Sequence, residues 1–385
     1  MNNEDIVSFI RTQFNEPENF IPLHAPVFGG NEKAYVLDTI ESTFVSSVGK
    51  YVTRFEEMMQ DITGAKYAVA TVNGTTALHL ALVVAGVKGG DEVITQPFTF
   101  VATANAISHA GAFPVFVDID RTTMGLSHEA LSIFLDDFAE VKGDCCFNKK
   151  TGRRIAACIP MHTFGFPARI SDIAVLCEKW KIALIEDAAE SIGSYVGNKH
   201  TGTFGLAGTF SFNGNKTITS GGGGAIVTDN ENYAKIAKHI STTAKQPHAW
   251  EFVHDMVAYN YRMPNLNAAL ACAQLEQLPA FLESKRVLSR VYSSFFKGSE
   301  IGFMTEREGT TANYWLNSIV FPDRSARDSF LECSNRQNVM SRPAWQLMNR
   351  LPMYMNCLSG ELSNAVWLED RLVNIPSSVR LSHES

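Results

Sequence analysis

The chain has 385 residues, 45% of them hydrophobic and 19% charged, with a formal net charge of −7 and a pI near 5.8. That length allows two or three domains and a large apolar core, and the acidic balance argues against a nucleic-acid partner. Seven cysteines without a C-x-x-C spacing read as reduced thiols rather than a metal site. With no basic leader at Met1–Asp5 and no run of 18 apolar residues, a cytoplasmic protein without a membrane partner is expected.

From Tyr67 to Thr228 strands and helices alternate, which predicts a mostly parallel sheet with helices on both faces. Strand Tyr67–Thr71 turns through Asn73 and Gly74 into a strongly helical run. Gly74 lets the backbone approach a ligand, and Thr75 and Thr76 add hydroxyls to free N–H groups at the helix start. Helix N-termini bind phosphate in this way, although an ordinary capped helix reads the same. Strand Val93–Thr95 leads to Phe98 and Phe100, either of which could lie against a planar ligand or in the core. Helix Ala102–His109, strand Phe113–Val117 and helix His128–Phe138 follow.

The stretch from Asp144 to Arg154, with Gly, Asn and paired Lys and Arg, reads as an exposed excursion. Strand Ile155–Met161 ends at His162, a candidate site histidine, and helix Ile170–Trp180 comes next. An apolar run at Ile182–Ile185 reads as a buried strand ending in Glu186-Asp187-Ala188-Ala189-Glu190. Ligands of open α/β sheets gather at the carboxyl ends of strands, so Asp187 is well placed for one, the lesser alternative being a cap on the next helix. Phe210-Ser211-Phe212 runs into Lys216 and then Gly221–Gly224. Asn265 looks like the cap of a helix from Leu266 to about Leu278; Pro279 then opens a second helical run to Phe296. Shorter elements beyond Gly298 suggest a smaller C-terminal domain.

Together these segments provide a lysine amine at a strand end, an acid, a hydroxyl-lined helix start and flat aromatic groups. Those are the parts a pyridoxal 5'-phosphate site requires. The acid would keep the ring nitrogen protonated, since an opposite charge favours the charged form. Neither a G-x-G-x-x-G nor a P-loop ending is present, which argues against a nucleotide binder.

The chain resembles the DegT/DnrJ/EryC1/StrS sugar aminotransferases, within the fold-type I pyridoxal phosphate enzymes, from about Phe20 onward. The motifs that carry this are SSVGKYVTRFEE (Ser46 to Glu57), Asn73-Gly74-Thr75, Thr99 to Thr103, FVDID (Phe116 to Asp120), Asp187 to Glu190, Ser211-Phe212 with Lys216, and YNYRMPN (Tyr259 to Asn265). The resemblance implies a large, mostly parallel sheet domain sandwiched by helices, and a smaller α+β C-terminal domain. The expected division is an N-terminal segment 1–35, a cofactor domain 36–264, and a linking helix with the small domain 265–385.

It further implies Lys216 as the Schiff-base lysine and Asp187 as partner of the ring nitrogen. Gly74, Thr75 and Ser211 would hold the phosphate, and Phe100 would stack on the ring. Many members carry Gln where this chain has Glu190, a position that contacts the cofactor's ring oxygen. Members work as homodimers with shared active sites, so Asn260 would reach the neighbour's phosphate. Arg262 and Arg342 could bind substrate anions, and His162 could contact substrate.

The opening from Phe20 to Gly30 and the stretch from Thr242 to His254 resemble the bacillosamine and legionaminic acid subgroup. This implies amino transfer from glutamate to C4 of a UDP-linked 2-acetamido-2,6-dideoxy-4-hexulose. Amination at C8 of a keto-octulosonic acid is the alternative, and a regulator that binds the cofactor without turnover is a third reading.

Overall fold

The computed structural model describes residues 1–380; the last five residues of the expected C-terminal unit lie outside the described residues. Seven strands form the spine of a nine-stranded sheet: β1 (Tyr67–Thr71), β2 (Glu92–Thr95), β3 (Phe113–Phe116), β4 (Arg154–Ile159), β5 (Ala183–Asp187), β6 (Ala207–Ser211) and β7 (Gly224–Thr228). Their spatial order is β1-β7-β6-β5-β4-β2-β3. Neighbours are parallel except at β7, which runs antiparallel to both β1 and β6.

Parallel strands need cover on both faces because their connections are helices. On one face, Leu78 and Leu82 of helix Gly74–Val84, Ile107 of helix Val101–His109 and Ala237 of helix Glu231–Ser241 pack on Val93, Ile159, Ile185 and Ile226. On the other, Phe55 of helix Lys50–Thr63 and Cys272 of helix Asn265–Glu276 meet Phe210 and Phe212. Helices His128–Phe138 and Ile170–Lys179 extend that face over Ile94, Val115, Cys158 and Leu184. The α/β architecture expected from the alternation is therefore present.

A second, antiparallel sheet has the order Gly302–Phe303, Asn317–Val320, Leu372–Ile375, Arg342–Pro343. Its core joins Ile319, Val373 and Phe330 to Leu288 and Tyr292 of helix Leu278–Phe296. Ile6, Val7 and Ile10 of helix Asn3–Phe14 complete it, so the two ends of the chain share one apolar cluster.

Two local expectations are corrected. The stretch from Asp144 to Arg154 contains strand Cys145–Asn148, which pairs with Ala139–Lys142 and with β4. Asn148 is buried there because its Nδ2 donates to the buried Glu92 Oε2 at 2.8 Å. Asn265 does not cap its own helix, which starts at that residue after Pro264. Its Oδ1 accepts from Tyr51 N (3.1 Å), at the start of helix Lys50–Thr63, and its Nδ2 donates to Phe44 O (2.7 Å). That helix has Gly49 at its cap and no side-chain cap of its own, so the acceptor comes from a remote part of the chain.

Candidate active site

β1, β5 and β6 run in the same direction, and their carboxyl ends border one cavity of about 330 Å³. From β1 come Asn73, Gly74 and Thr75. Asn73 Oδ1 accepts from Thr76 N at 2.9 Å and caps the helix that follows. The Gly74 and Thr75 amides, in the first turn, have no intrahelical acceptor. A Cβ on Gly74 would lie 2.7 Å from Cβ of Ser211, the last residue of β6. The two loops thus form one corner of free amides and hydroxyls, suited to a phosphate at the positive end of a helix.

Gly224 makes that approach possible, since it pairs with both Thr71 and Ser211. A Cβ at this position would stand 2.5 Å from the Asn73 carbonyl oxygen.

β5 supplies Asp187, only 2% exposed. Thr103 Oγ1 donates to its Oδ2 (2.7 Å) and Ala189 N to its Oδ1 (3.2 Å). Burial raises the Asp187 carboxyl above the usual range; the Thr103 and Ala189 bonds, and the Lys216 and His162 charges, pull the other way. Each oxygen retains a free lone pair, and a buried acid of this kind fits a cationic ring nitrogen.

Lys216 projects into the same cavity after β6. Its Nζ is 3.0 Å from Glu190 Oε1 and 4.0 Å from the centre of the Trp315 ring. The lysine side chain is 12% exposed and that of Glu190 1%. Glu190 Oε2 accepts from Phe164 N at 2.9 Å. Burial pushes the Glu190 carboxyl up to about 7, against the opposing pull of the Lys216 charge and the Phe164 amide.

Phe100 stands on the cavity wall at 47% exposure, whereas Phe98 is fully buried against Phe164 and Trp345. Of the expected residues, Gly74, Thr75, Phe100, Asp187, Glu190, Ser211 and Lys216 all line this one cavity.

His162 is not brought to it, which corrects the expectation of a substrate contact. The ring is fully buried, Nδ1 accepts from Ala168 N (3.1 Å), and Nε2 lies 2.9 Å from Glu186 Oε2. Asn260 and Arg262 also lie outside the cavity, bonded to each other through Nε of the arginine at 3.0 Å. Arg342 lines an adjoining cavity with His24, Met340 and Asn374, and Asn215, Trp315 and Trp345 border both cavities.

Sequence reasoning missed Thr103, Trp315 and Trp345. The two tryptophans come from the small sheet's connections, far along the chain from Lys216. Trp315 is fixed by its Nε1, which donates to Asn215 O at 2.7 Å. Among the described residues, no group of three or more His, Cys, Asp or Glu is arranged to hold a metal. Nor is any helix long and apolar enough to cross a membrane.

Residues 27–385 match the model of the DegT/DnrJ/EryC1/StrS aminotransferase family. A GDP-perosamine synthase of Vibrio cholerae is 37% identical over 365 residues, covering 93% of this chain and 94% of that protein. A protein described as putative pyridoxal phosphate-dependent aminotransferase EpsN, of Bacillus subtilis, is 34% identical over 87% of this chain and 84% of its own length. Among solved structures, a protein described as putative sugar aminotransferase Spr1654 from Streptococcus pneumoniae, in its PLP-form, superposes with a TM-score of 0.84 at 23% identity, covering 95% of each chain.

Proposed function

The chain belongs to the DegT/DnrJ/EryC1/StrS aminotransferase family, and from that premise we propose that it aminates C4 of a UDP-linked 2-acetamido-2,6-dideoxy-4-hexulose with glutamate as donor. The product would be a 4-amino sugar of the N-acetylbacillosamine type, made in the cytoplasm for a surface glycan. The observation that carries the reading is the convergence of Lys216, Asp187 and the Gly74–Ser211 corner on one cavity.

Pyridoxal phosphate, when bound, supplies an aldehyde that takes up the amino group and a ring that accepts the electrons of the donor's broken C–H bond. The Gly74 and Thr75 amides with the Thr75 and Ser211 hydroxyls would hold its phosphate. Asp187 would face the ring nitrogen, kept in place by Thr103, and Phe100 would cover a ring face. Lys216 would anchor the aldehyde, and its Nζ, once free, would remove the proton from Cα of the donor and later return one to C4 of the sugar. Trp315, whose ring lies 4.0 Å from the Lys216 amine, would shield that amine from water.

The adjoining cavity, with Arg342 at its rim, suits the nucleotide sugar's anionic part. In a homodimer, Asn260 and Arg262 would serve the neighbour's phosphate. These roles predict ping-pong kinetics, with 2-oxoglutarate leaving before the keto sugar binds.

A second reading rests on the GDP-perosamine synthase at 37% identity, which favours a GDP-linked 4-keto sugar over a UDP-linked one. The experiment is to record the visible spectrum before and after glutamate, with Lys216→Ala alongside, and then to offer UDP-linked and GDP-linked 4-keto sugars and a keto-octulosonate. Amination of the UDP sugar alone supports the first reading, and preference for the GDP sugar or the octulosonate replaces it. A protein that binds no pyridoxal phosphate would overturn the assignment of the site.

A further inference from the structure

Glu190 is the one carboxylate bonded to Lys216 among the described residues. One of its oxygens faces the amine and the other is held by the Phe164 amide, in a segment whose Phe164 has a positive φ of 55°. The acid group is therefore fixed in direction, with 1% of its side chain exposed. Asp187 lies three residues earlier on the same turn and is already bonded to Thr103 and Ala189. His162 is occupied by Glu186 and Ala168 behind that turn. Among the described residues, neither ring nitrogen of His24, from the N-terminal segment, has a hydrogen-bond partner, and burial lowers its pKa. The buried Lys285 ammonium spends its bonds on the carbonyls of Tyr314, Trp315 and Ser377. Among the described residues no other cation is bonded to Glu190.

We propose that Glu190 is a proton reservoir for Lys216: a carboxylate while the ammonium of the cofactor-free protein faces it, and a carboxylic acid once that amine is engaged elsewhere. The proposal rests on Lys216 as the cofactor's point of attachment. An anion shielded from water keeps its charge only if it is paired. When the ammonium leaves, Glu190 is a buried anion beside a second acid, and it takes a proton from solvent at Oε1. When the ammonium returns, the proton is released.

A neutral Glu190 offers one donor, one acceptor and no charge, and so matches a glutamine side chain in kind. It differs from glutamine in that it can give the proton back. The direction in which burial moves this carboxyl agrees with that behaviour.

The first test uses no cofactor. Lys216→Met should show the infrared band of a protonated carboxyl at mildly alkaline pH, stronger than in the parent protein. The band should vanish in Lys216→Met combined with Glu190→Gln. Absence of the band from the single variant, or its persistence in the double variant, overturns the proposal.

The second test keeps Lys216. Calorimetry of pyridoxal phosphate binding in two buffers of different ionisation enthalpy should show the parent taking up about one proton more than Glu190→Gln. Equal uptake would also overturn it. Failure of both proteins to bind the cofactor would instead count against the site assignment, and the infrared result then decides the role of Glu190.

Discussion

A single methyl group tests the phosphate corner. In Gly74→Ala the new Cβ would sit 2.7 Å from Ser211 Cβ, and overpacking of this kind costs about 1–3 kcal/mol. Because the strained atoms border the corner, the expected result is weaker pyridoxal phosphate binding with little loss of fold. Titration of the cofactor's absorbance would show it, and an unchanged dissociation constant would remove the corner from the site. Glu190 makes a pH-dependent contribution of definite sign. Its carboxyl is raised from 4.5 in the reference state to about 7 in the fold. The stability it confers is therefore fully present below the reference value and lost as pH rises through about 7. Melting temperature of the cofactor-free protein, followed across that window, should fall less steeply in Glu190→Gln. Parallel slopes would place the titration elsewhere.

At the scale of elements, one side chain closes a helix it does not belong to. Asn265→Ala would leave Tyr51 N and Phe44 O without partners. Loss of a helix cap costs about 0.5–2 kcal/mol, so thermal unfolding should come earlier while kcat stays near that of the parent. Equal melting temperatures would mean that water replaces the amide. The same residue shows what a sequence conceals. A polar residue before an apolar run is a local signal for a cap, but nothing local says that Tyr51, far away in the chain, is the donor. His162 failed for a related reason: its place after β4 was readable, whereas the face to which its ring turns depends on Glu186 and Ala168. Asp187, Ser211 and Lys216 were legible because each lies at or just after the end of a short apolar strand, and strand ends converge by the geometry of a parallel sheet. Trp315 and Trp345 carry no such signal, since their approach depends on the packing of the small sheet against the large one. The strand at Cys145–Asn148 was hidden by its polar neighbours, although Cys146 and Asn148 are buried within it.

For the whole molecule, the surface around residues 245–257 is the feature to explain. Trp250 is 78% exposed, Phe252 80% and Val257 95%. Apolar groups displayed together mark a contact surface, and a second copy of the chain is the expected occupant given the roles proposed for Asn260 and Arg262. Sedimentation should report a dimer, and Trp250→Ser with Phe252→Ser should shift it toward monomer. A parent protein that sediments as a monomer at all concentrations would contradict shared sites.

The return of β7 between β1 and β6 also has a kinetic consequence. Gly224 joins Thr71 to Ser211, so neither half of the phosphate corner is complete until residues widely separated in the chain have paired. Contacts of such long range form late and slowly during folding. A partly folded chain therefore lacks the corner until β1, β6 and β7 have paired. Arrival of the cofactor's colour during refolding should lag behind the gain of helical signal, which makes the ligand a clock for the last step of the fold.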